Sequence, residues 1–304
     1  MKIVCLCGPT ASGKSAAALG LAAAGIPMWV INADSRQVYR DFPIITAAPD
    51  ESERGVCPHI LYGFMRTEEK NAAGIWAKPA GQTLREAESA GVVPVLTGGT
   101  GMYFRALLDG LADIPQIPQE IHDALIDECA SAGPQALHRR LAAIDPEYAA
   151  SIHENDKQRI MRALEVYAAT GRTFSSWHAD TPKPYAGHDI LRIGIGLPLE
   201  ELTPILMSRT QKMLRAGALE EAERALAICP DTRAPGWSGI GCRELARYLK
   251  GEFALQAAVD MWNKNTRAYA KRQWTWFRAD TRIRWFRPEE QKDCLEAVKR
   301  FLGM

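Results

Sequence analysis

Gly8-Pro9-Thr10-Ala11-Ser12-Gly13-Lys14-Ser15 is the stretch whose reading decides the fold. It follows an apolar run, Ile3 to Cys7, and leads into an alanine-rich stretch, Ser15 to Ala24, that reads as a helix. Strand, glycine loop and helix in that order let backbone N–H groups of the loop and of the helix N-terminus surround phosphate oxygens. In the spacing G-x-x-x-x-G-K-[ST], Lys14 adds a point charge and Ser15 a hydroxyl able to ligate Mg²⁺, directly or through water. Gly8, Pro9, Thr10, Ala11, Ser12, Gly13, Lys14 and Ser15 are therefore expected to grip a phosphate or diphosphate, with ATP the default nucleotide. The motif alone names neither the compound nor a phosphoryl transfer, and a glycine turn that binds nothing is its bland alternative.

With 304 residues the chain is long enough for one large or two moderate domains. No apolar run approaches the roughly 20 residues of a membrane span, and Met1-Lys2 leads straight into the first strand without a signal-peptide pattern. The expectation is a cytoplasmic protein that contacts no membrane. Cys5, Cys7, Cys57, Cys129, Cys229, Cys242 and Cys294 form no C-x-x-C and have no histidines at metal spacing, which argues against zinc and against a disulfide framework. The formal net charge is +1, so a nucleic-acid site must come from local clustering of basic residues.

Beyond the first helix, Met28 to Asn32 is a second apolar run, ending in Ala33-Asp34-Ser35-Arg36-Gln37-Val38-Tyr39. A carboxylate just past a strand that neighbours the glycine loop projects into the crevice at the carboxyl edge of the sheet. Asp34 is thus a candidate base or metal partner, or else a helix N-cap or turn aspartate. Phe42 to Lys70 is irregular and is read as a long active-site loop with short elements. A helix from about Trp76 to Ala90 and a strand from Val92 to Leu96 then lead to Thr97-Gly98-Gly99-Thr100-Gly101, a second glycine-rich turn. Three such units predict a doubly wound parallel sheet with one shared crevice, in which Thr100 offers a hydroxyl to a phosphate or base edge. A plain glycine C-cap is the alternative for that turn.

The alternation stops after Ile114-Pro115 and Ile117-Pro118, which read as a linker. Helical patterns follow at about Glu120 to Ala132, Gln135 to Ala143, Pro146 to His153 and Asp156 to Thr170, the last capped by Asn155 or Asp156 and closed by Gly171. Without strands between them they predict an all-helical insertion at 117–187, within a catalytic core formed by 1–116 and 188–304. Arg159 and Arg162 share one face of the last helix, able to meet a polyanion, although spacing alone favours solvated surface arginines.

Strand character returns at Ile190 to Leu197, and a helix near Leu202 to Ala216 carries Arg209 and Arg215. Gly236 to Arg243 reads as a small-residue turn before another helix. From Lys264 to Arg287, the basic residues Lys264, Arg267, Lys271, Arg272, Arg278, Arg282, Arg284 and Arg287 face Asp280 as their acid. Tyr269, Trp274, Trp276, Phe277, Trp285 and Phe286 are interleaved with them. On a helix Lys264, Arg267, Lys271 and Arg278 make one stripe, and cations beside aromatics suit a nucleic-acid face.

An ordinary NTPase needs a second acidic strand end for Mg²⁺ and water, yet Val92 to Leu96 ends in Thr97. A loop that holds diphosphate as a leaving group needs no such acid: the loop, Lys14 and Mg²⁺ stabilise charge as a bond to carbon breaks, and Asp34 takes a proton from the attacking group. The residues by themselves also leave open a nucleoside or small-molecule kinase, and a non-catalytic RNA-binding protein whose loop only stabilises the fold.

In combination these stretches resemble the tRNA dimethylallyltransferase family, also called tRNA isopentenyltransferase or IPP transferase. The resemblance rests on Gly8 to Ser15, on Asp34 to Tyr39, on Gly98-Gly99-Thr100-Gly101-Met102-Tyr103, on Gln158 to Val166, and on Lys271 to Arg278, in this order across nearly the whole chain. It implies a P-loop kinase-like sheet with a helical insertion, and transfer of a dimethylallyl group from dimethylallyl diphosphate to N6 of adenosine 37 in tRNAs reading codons that begin with U. It also implies a monomer. By the same resemblance Thr10 to Ser15 and Arg209 grip the donor diphosphate with Mg²⁺, Asp34 is the general base, and Thr100 touches the substrate adenosine or its phosphate. The tRNA path would be lined by Asp34, Ser35, Arg36 and Gln37, by Gln158, Arg159, Ile160, Met161 and Arg162, and by Lys271, Arg272, Gln273, Trp274, Thr275, Trp276, Phe277 and Arg278. The adenine would be flipped out of its loop stack, and the insertion would clamp the far side of the anticodon stem-loop. The chain departs from the family pattern at Ser15, where threonine is usual, at Ile45 and Ala48, which replace glycine and lysine, at His122, which replaces an arginine, and at Cys242, which replaces tyrosine.

Overall fold

Continuous apolar runs form strands here because they are buried on both faces, as parallel sheets require. In the computed structural model, which describes residues 1–304, β1 (Lys2–Cys7) is central, its residues Ile3 to Cys7 all buried. It pairs in parallel with β4 (Val93–Gly98) on one side and β5 (Asp189–Ile195) on the other. With β2 (Met28–Asn32), β3 (His59–Ile60) and β6 (Arg284–Phe286) the sheet order is β3-β2-β4-β1-β5-β6, every pair parallel. From β1 the chain passes to β2 and leaves a gap that β4 later fills. The carboxyl ends of β1, β2 and β4 therefore open onto one crevice, as the doubly wound reading predicts.

The helices are, in chain order, α1 (Lys14–Ala23), α2 (Pro43–Thr46), α3 (Glu51–Val56), α4 (Ala73–Ser89), α5 (Gly101–Phe104), α6 (Gln119–Ala132), α7 (Pro134–Ile144), α8 (Pro146–Ser151), α9 (Lys157–Thr170) and α10 (Phe174–Ala179). After β5 come α11 (Leu199–Arg215), α12 (Ala218–Ile228), α13 (Cys242–Leu249), α14 (Leu255–Arg278) and α15 (Gln291–Leu302). Side chains alternate across a strand, so Val4 and Leu6 join α1 and α15 residues such as Leu21 and Val298 in one core. Ile3 and Cys5 fall on the opposite face, where Trp76, Ala80, Leu84 and Ala87 of α4 recur at steps of three and four.

The chain divides into two compact units, Met1–Leu107 with Gly187–Met304, and Leu108–Ala186. The second unit is wholly helical, with its own core of Leu125, Leu137, Leu141, Ile160 and Leu164 among others. Asp156 caps α9 by accepting from the Arg159 N–H, and Gly171 closes it at φ 69°. Elements that the sequence reading did not name are the two-residue strand β3, set in the irregular 42–70 stretch, α10, beyond the last helix expected in the insertion, and α12, β6 and α15. All seven cysteines are buried free thiols. No helix is long and apolar enough to cross a membrane.

Trp76 links the α4 face to the strand that carries Asp34. Its ring is stacked on Tyr103 at 4.2 Å, and its Nε1 donates to Asn32 O at the end of β2 at 3.0 Å. Trp76→Phe keeps most of the apolar volume and leaves that carbonyl without the donor. Denaturant unfolding should show a loss of about 1–3 kcal/mol; an unchanged midpoint would mean that the indole hydrogen bond carries no net stability.

Candidate functional site

The glycine loop turns at the end of β1 through residues that tolerate left-handed backbone. Gly8 has φ 141°, Ala11 61° and Gly13 93°. A side chain at Gly8 would put its Cβ 2.1 Å from Ile195 O, so only glycine fits there. The loop and the start of α1, Thr10 to Ala16, form the floor of a cleft of about 870 Å³. Its walls are Asp34 and Gln37, the α2 end with Ala47 and Ala48, Tyr62, the Thr97-Gly98 strand end, and one face of α11. A second cavity of about 220 Å³ is lined by Ile45, Leu206, Met213, Ile240, Trp262 and Tyr269, with Arg36, Ser238 and Arg272 as polar members. Thr10, Asp34, Thr46 and Arg209 line both, so the two spaces meet at Asp34.

Asp34 is held from three directions. Its N–H donates to Asn32 Oδ1 at 2.8 Å, and its Oδ1 accepts from the Arg36 N–H at 2.9 Å. The residues either side are tied to the second glycine turn: Ala33 N–H donates to Thr97 O at 2.8 Å, Thr100 N–H to Ala33 O at 3.1 Å, and Ser35 N–H to Thr100 Oγ1 at 2.9 Å. Thr100 thus fixes the Asp34 loop through its hydroxyl. Arg36 reaches Ser238 Oγ at 2.6 Å, while Gln37 spends its amide on Thr46 O and Ala47 O.

The cations are arranged around the loop. Lys14 Nζ donates to Gly8 O and Pro9 O at 3.0 and 2.6 Å, and burial lowers its pKa to about 8 against the opposing pull of Asp34. Arg209 Nη1 donates to Thr10 Oγ1 at 3.3 Å; burial lowers its pKa too, and Asp34 again favours the charge. Ser12 Oγ is buried and has no hydrogen-bond partner, a polar atom the loop itself leaves unsatisfied. Ser15 is exposed in the cleft. No three His, Cys, Asp or Glu side chains cluster as a metal cage. The Ser15 hydroxyl facing the cleft is an oxygen donor, the ligand type that a hard divalent cation takes beside substrate phosphate oxygens.

Of the residues expected along a nucleic-acid path, Lys264, Arg267, Lys271, Arg272, Thr275 and Arg278 are exposed on α14, with Trp276 36% exposed. Three others turn inward, and the expectation of a surface role for them is corrected. Phe277 is buried edge-on against Phe104, Trp274 packs on Trp285 at 4.7 Å, and Gln273 is buried with both ends of its amide bonded inside. Each lies on the side of the helix that rests on the sheet edge. In the helical unit Gln158, Arg159 and Arg162 are exposed, whereas Ile160 and Met161 belong to the core. His122 Nδ1 and Arg162 Nη1 both meet the buried carboxylate of Glu165, at 2.5 and 3.4 Å. Ile45 and Cys242 are buried, and of the departures named above Ser15 and Ala48 line this cleft while Ile45 lines the second cavity.

Sequence reading missed Lys212, which lines the cleft one turn beyond Ser208 and Arg209, and Trp262 and Thr266 of the second cavity, and it placed Tyr269 only among the aromatics of a nucleic-acid face. Their signal was present: 262, 266, 269 and 273 recur at steps of four, three and four on the face of α14 opposite the basic stripe. Burial pushes the Tyr269 phenol up to about 12, so it stays protonated at neutral pH.

The IPP transferase family model matches residues 37–280. The chain is 54% identical over 302 residues to the tRNA dimethylallyltransferase of Nitratidesulfovibrio vulgaris strain DP4, covering 99% of this chain and 96% of that one. The chain belongs to this family. The tRNA dimethylallyltransferase of Lawsonia intracellularis is 44% identical over 304 residues, covering 99% of both chains. Among solved structures, the tRNA isopentenylpyrophosphate transferase of Bacillus halodurans superposes with a TM-score of 0.72 at 31% identity over 99% of this chain and 97% of that one. A eukaryotic dimethylallyltransferase, solved acting on tRNA, gives 0.75 at 28% identity over 91% and 69%. The chain is thus a transferase of the tRNA dimethylallyltransferase family on a P-loop-type α/β sheet.

The lowered pKa of Lys14 has a definite consequence for ligand binding. Above pH 8 the free site holds a neutral amine, and an anion that needs the ammonium must take up a proton to bind. Diphosphate affinity should therefore fall by up to about tenfold per pH unit above 8. Without ligand the sign reverses: between pH 8 and 10.5 the unfolded chain binds the extra proton, so this group adds stability as pH rises. Calorimetric titration of Mg²⁺-diphosphate from pH 7 to 9.5 checks the first statement. Lys14→Met should weaken binding and flatten its pH dependence, and an unchanged slope in that variant would assign the proton elsewhere.

Proposed function

We propose that the chain transfers the dimethylallyl group of dimethylallyl diphosphate to N6 of adenosine 37 in tRNAs reading codons that begin with U, releasing diphosphate. The observation that carries this reading is the junction at Asp34, where a cationic cleft floored by the P-loop meets a second cavity with aromatic walls. The donor diphosphate is taken by Gly8 to Ser15, where the N–H groups at the start of α1 and the side chains of Lys14 and Arg209 face its oxygens. Its reactive carbon then points toward Asp34. The flipped adenine occupies the second cavity, beside Trp262 and Tyr269, with N6 toward the same carboxylate.

In the reaction the bond from the prenyl carbon to the diphosphate oxygen breaks and a bond from N6 to that carbon forms. Asp34 accepts the proton that N6 loses. Lys14 and Arg209 hold the charge that grows on the departing oxygen. The Ser15 hydroxyl would hold Mg²⁺, directly or through water, and the metal would supply further charge neutralisation to the diphosphate. Thr100 keeps the Asp34 loop in place through Ser35, so its part is to orient the base. The exposed cations of α14 and the exposed Gln158, Arg159 and Arg162 of the helical unit bind the phosphates of the anticodon stem-loop. His122 and Arg162, braced by Glu165, belong to the same contact set. This reading takes the helical unit, predicted at 117–187, as the tRNA-contacting part of a cytoplasmic monomer. A kinase reading finds no second acidic strand end to support it, since β4 ends in Thr97-Gly98.

Unmodified tRNA incubated with the protein, Mg²⁺ and dimethylallyl diphosphate should yield prenylated adenosine, located at position 37 by digestion and mass spectrometry. No modified nucleoside from folded protein would refute the assignment. Asp34→Ala should lower single-turnover rates by roughly 10²- to 10⁴-fold while tRNA affinity stays close to wild type. Loss of affinity at an unchanged saturated rate would make Asp34 a contact residue instead.

A further inference from the structure

Gln273 lies on the buried side of α14, 4% exposed, between the two glycine turns of the site. Its Oε1 accepts from the Thr10 N–H at 2.9 Å, and its Nε2 donates to Gly99 O at 2.8 Å. A primary amide is the side chain able to make this bridge, because the two turns offer one donor and one acceptor. The fit is tight. A Cβ on Gly99 would stand 2.1 Å from Nε2, so the turn must be glycine for the amide to enter.

Each end of the bridge leads to a reacting group. On one side Thr10 is the residue whose Oγ1 receives Arg209, and its loop carries Lys14. On the other side the Gly99 turn continues into Thr100, whose backbone and hydroxyl hold Ala33 and Ser35 on either side of Asp34. Strand pairing stops at Cys7 and Gly98, so beyond that point the P-loop and the Thr100 turn lack the ladder that registers β1 against β4. Gln273 spans the two segments where the ladder has ended. The amide touches neither the cleft nor the second cavity, being absent from the lining of both.

We propose that Gln273 is a positioning residue that sets the P-loop, and with it the leaving diphosphate, at a fixed distance from the Asp34 base. This rests on the proposed prenyl transfer for its kinetic consequence but not for its geometry. Its removal changes the approach of two bound substrates rather than the binding of either, and a misplacement of about 1 Å costs roughly 10²-fold in rate. Lys271 and Arg272 are exposed at neighbouring positions of the same helix turn and Arg272 also lines the second cavity, so consecutive side chains of the motif go to the surface, to the cavity wall and to the buried bridge.

The test compares wild type with Gln273→Met, which keeps length and packing and removes both hydrogen bonds. Three quantities are read: the single-turnover rate at saturating dimethylallyl diphosphate and tRNA, the Kd of each of Mg²⁺-diphosphate and tRNA, and the exchange rate of the Thr10 amide hydrogen by NMR. The expected result is a rate lowered about 10- to 100-fold, each Kd within threefold, and Thr10 exchange at least tenfold faster. Gly99→Ala, which drives the amide out from the other side, should give the same pattern, and the double variant should be little worse than either single one. A raised Kd for tRNA at an unchanged saturated rate overturns the proposal and makes Gln273 a contact residue. Unchanged Thr10 exchange overturns it too, and that readout stands even if wild-type protein fails to prenylate tRNA, in which case the functional reading falls and the bridge is still judged. Should Gln273→Met not fold, Gly99→Ala alone decides by the same rate, affinity and exchange criteria.

Discussion

Helix α14 crosses the carboxyl edge of the sheet at a separation that only glycine permits. A Cβ at Gly99 would strike Gln273, one at Gly101 would meet the Trp276 indole at 1.9 Å, and one at Gly196 would meet Trp274 at 2.1 Å. These glycines follow β4 and β5, the strands that flank the P-loop strand. The large side chains of one helix thus use the missing side chains of two turns as seats. This close docking gives the open edge of the sheet a fixed roof beam, and from it hang the second cavity, through Trp262 and Tyr269, and the bridge to Thr10. Substituting Gly101 or Gly196, whose seats hold indole rings, would lift the helix and disturb these together, whereas at Gly99 the seat holds the end of one amide and the disturbance stays with the bridge.

The charge balance of the crevice follows from the same geometry. Lys14 and Arg209 are both buried enough for their charged forms to be disfavoured, and Asp34 counters this for each. Two cations sharing one carboxylate leave an excess of positive charge that an anionic ligand completes. Lys14 meanwhile rests on the Gly8 and Pro9 carbonyls, and the Ser12 hydroxyl has no partner in the fold. Polar groups that the chain does not satisfy from its own atoms are costly to bury. Ser12 Oγ is such a group, and it sits in the loop where the cations gather.

The sheet was legible because its signals are local. An apolar run before a glycine loop reads as a buried parallel strand, and β1 and β4 announce themselves so, whereas β2, which runs into Asn32-Ala33-Asp34, and β5, which carries Arg192, rest on apolar character alone. β3 did not, because two residues carry no periodicity and His59 is not a strand former; it exists through pairing with Val30 and Ile31. The P-loop and Asp34 were legible from spacing along the chain. Trp262 and Lys212 were not, and Gln273 and Tyr269 were read only as parts of a nucleic-acid face, since their places depend on which face of a long helix turns inward. The basic stripe of α14 was the conspicuous pattern and drew the reading outward, while the complementary face at 262, 266, 269 and 273 carries the site. Ile160 and Met161 show the same limit: a motif contiguous in sequence places alternate faces of a helix in solvent and in core, so contiguity cannot stand for contact.

The departures from the family pattern can now be weighed by location. Ile45 and Cys242 sit inside the packing around Gly241, where a Cβ would already meet Ile45 and Trp262 at 2.7 and 2.6 Å. Their exchange is a matter of volume, and a buried thiol whose ionisation is suppressed adds no charge to the cavity wall. Ala48 differs in kind. It lines the cleft, so the lysine that the resemblance leads one to expect there would stand beside the P-loop, and alanine leaves that wall without a cation. The cations that remain are Lys14, Arg209 and Lys212, set against Asp34 and Glu53, and the Glu53 carboxylate is already bonded to the Asp50 N–H in the cap of α3. With Lys14 near pH 8 in its titration, the positive character of the cleft rests more heavily on Arg209 than it would with a fourth cation present. An arginine on a helix face, its guanidinium bonded to Thr10 and its charge favoured by Asp34, is the residue suited to that burden.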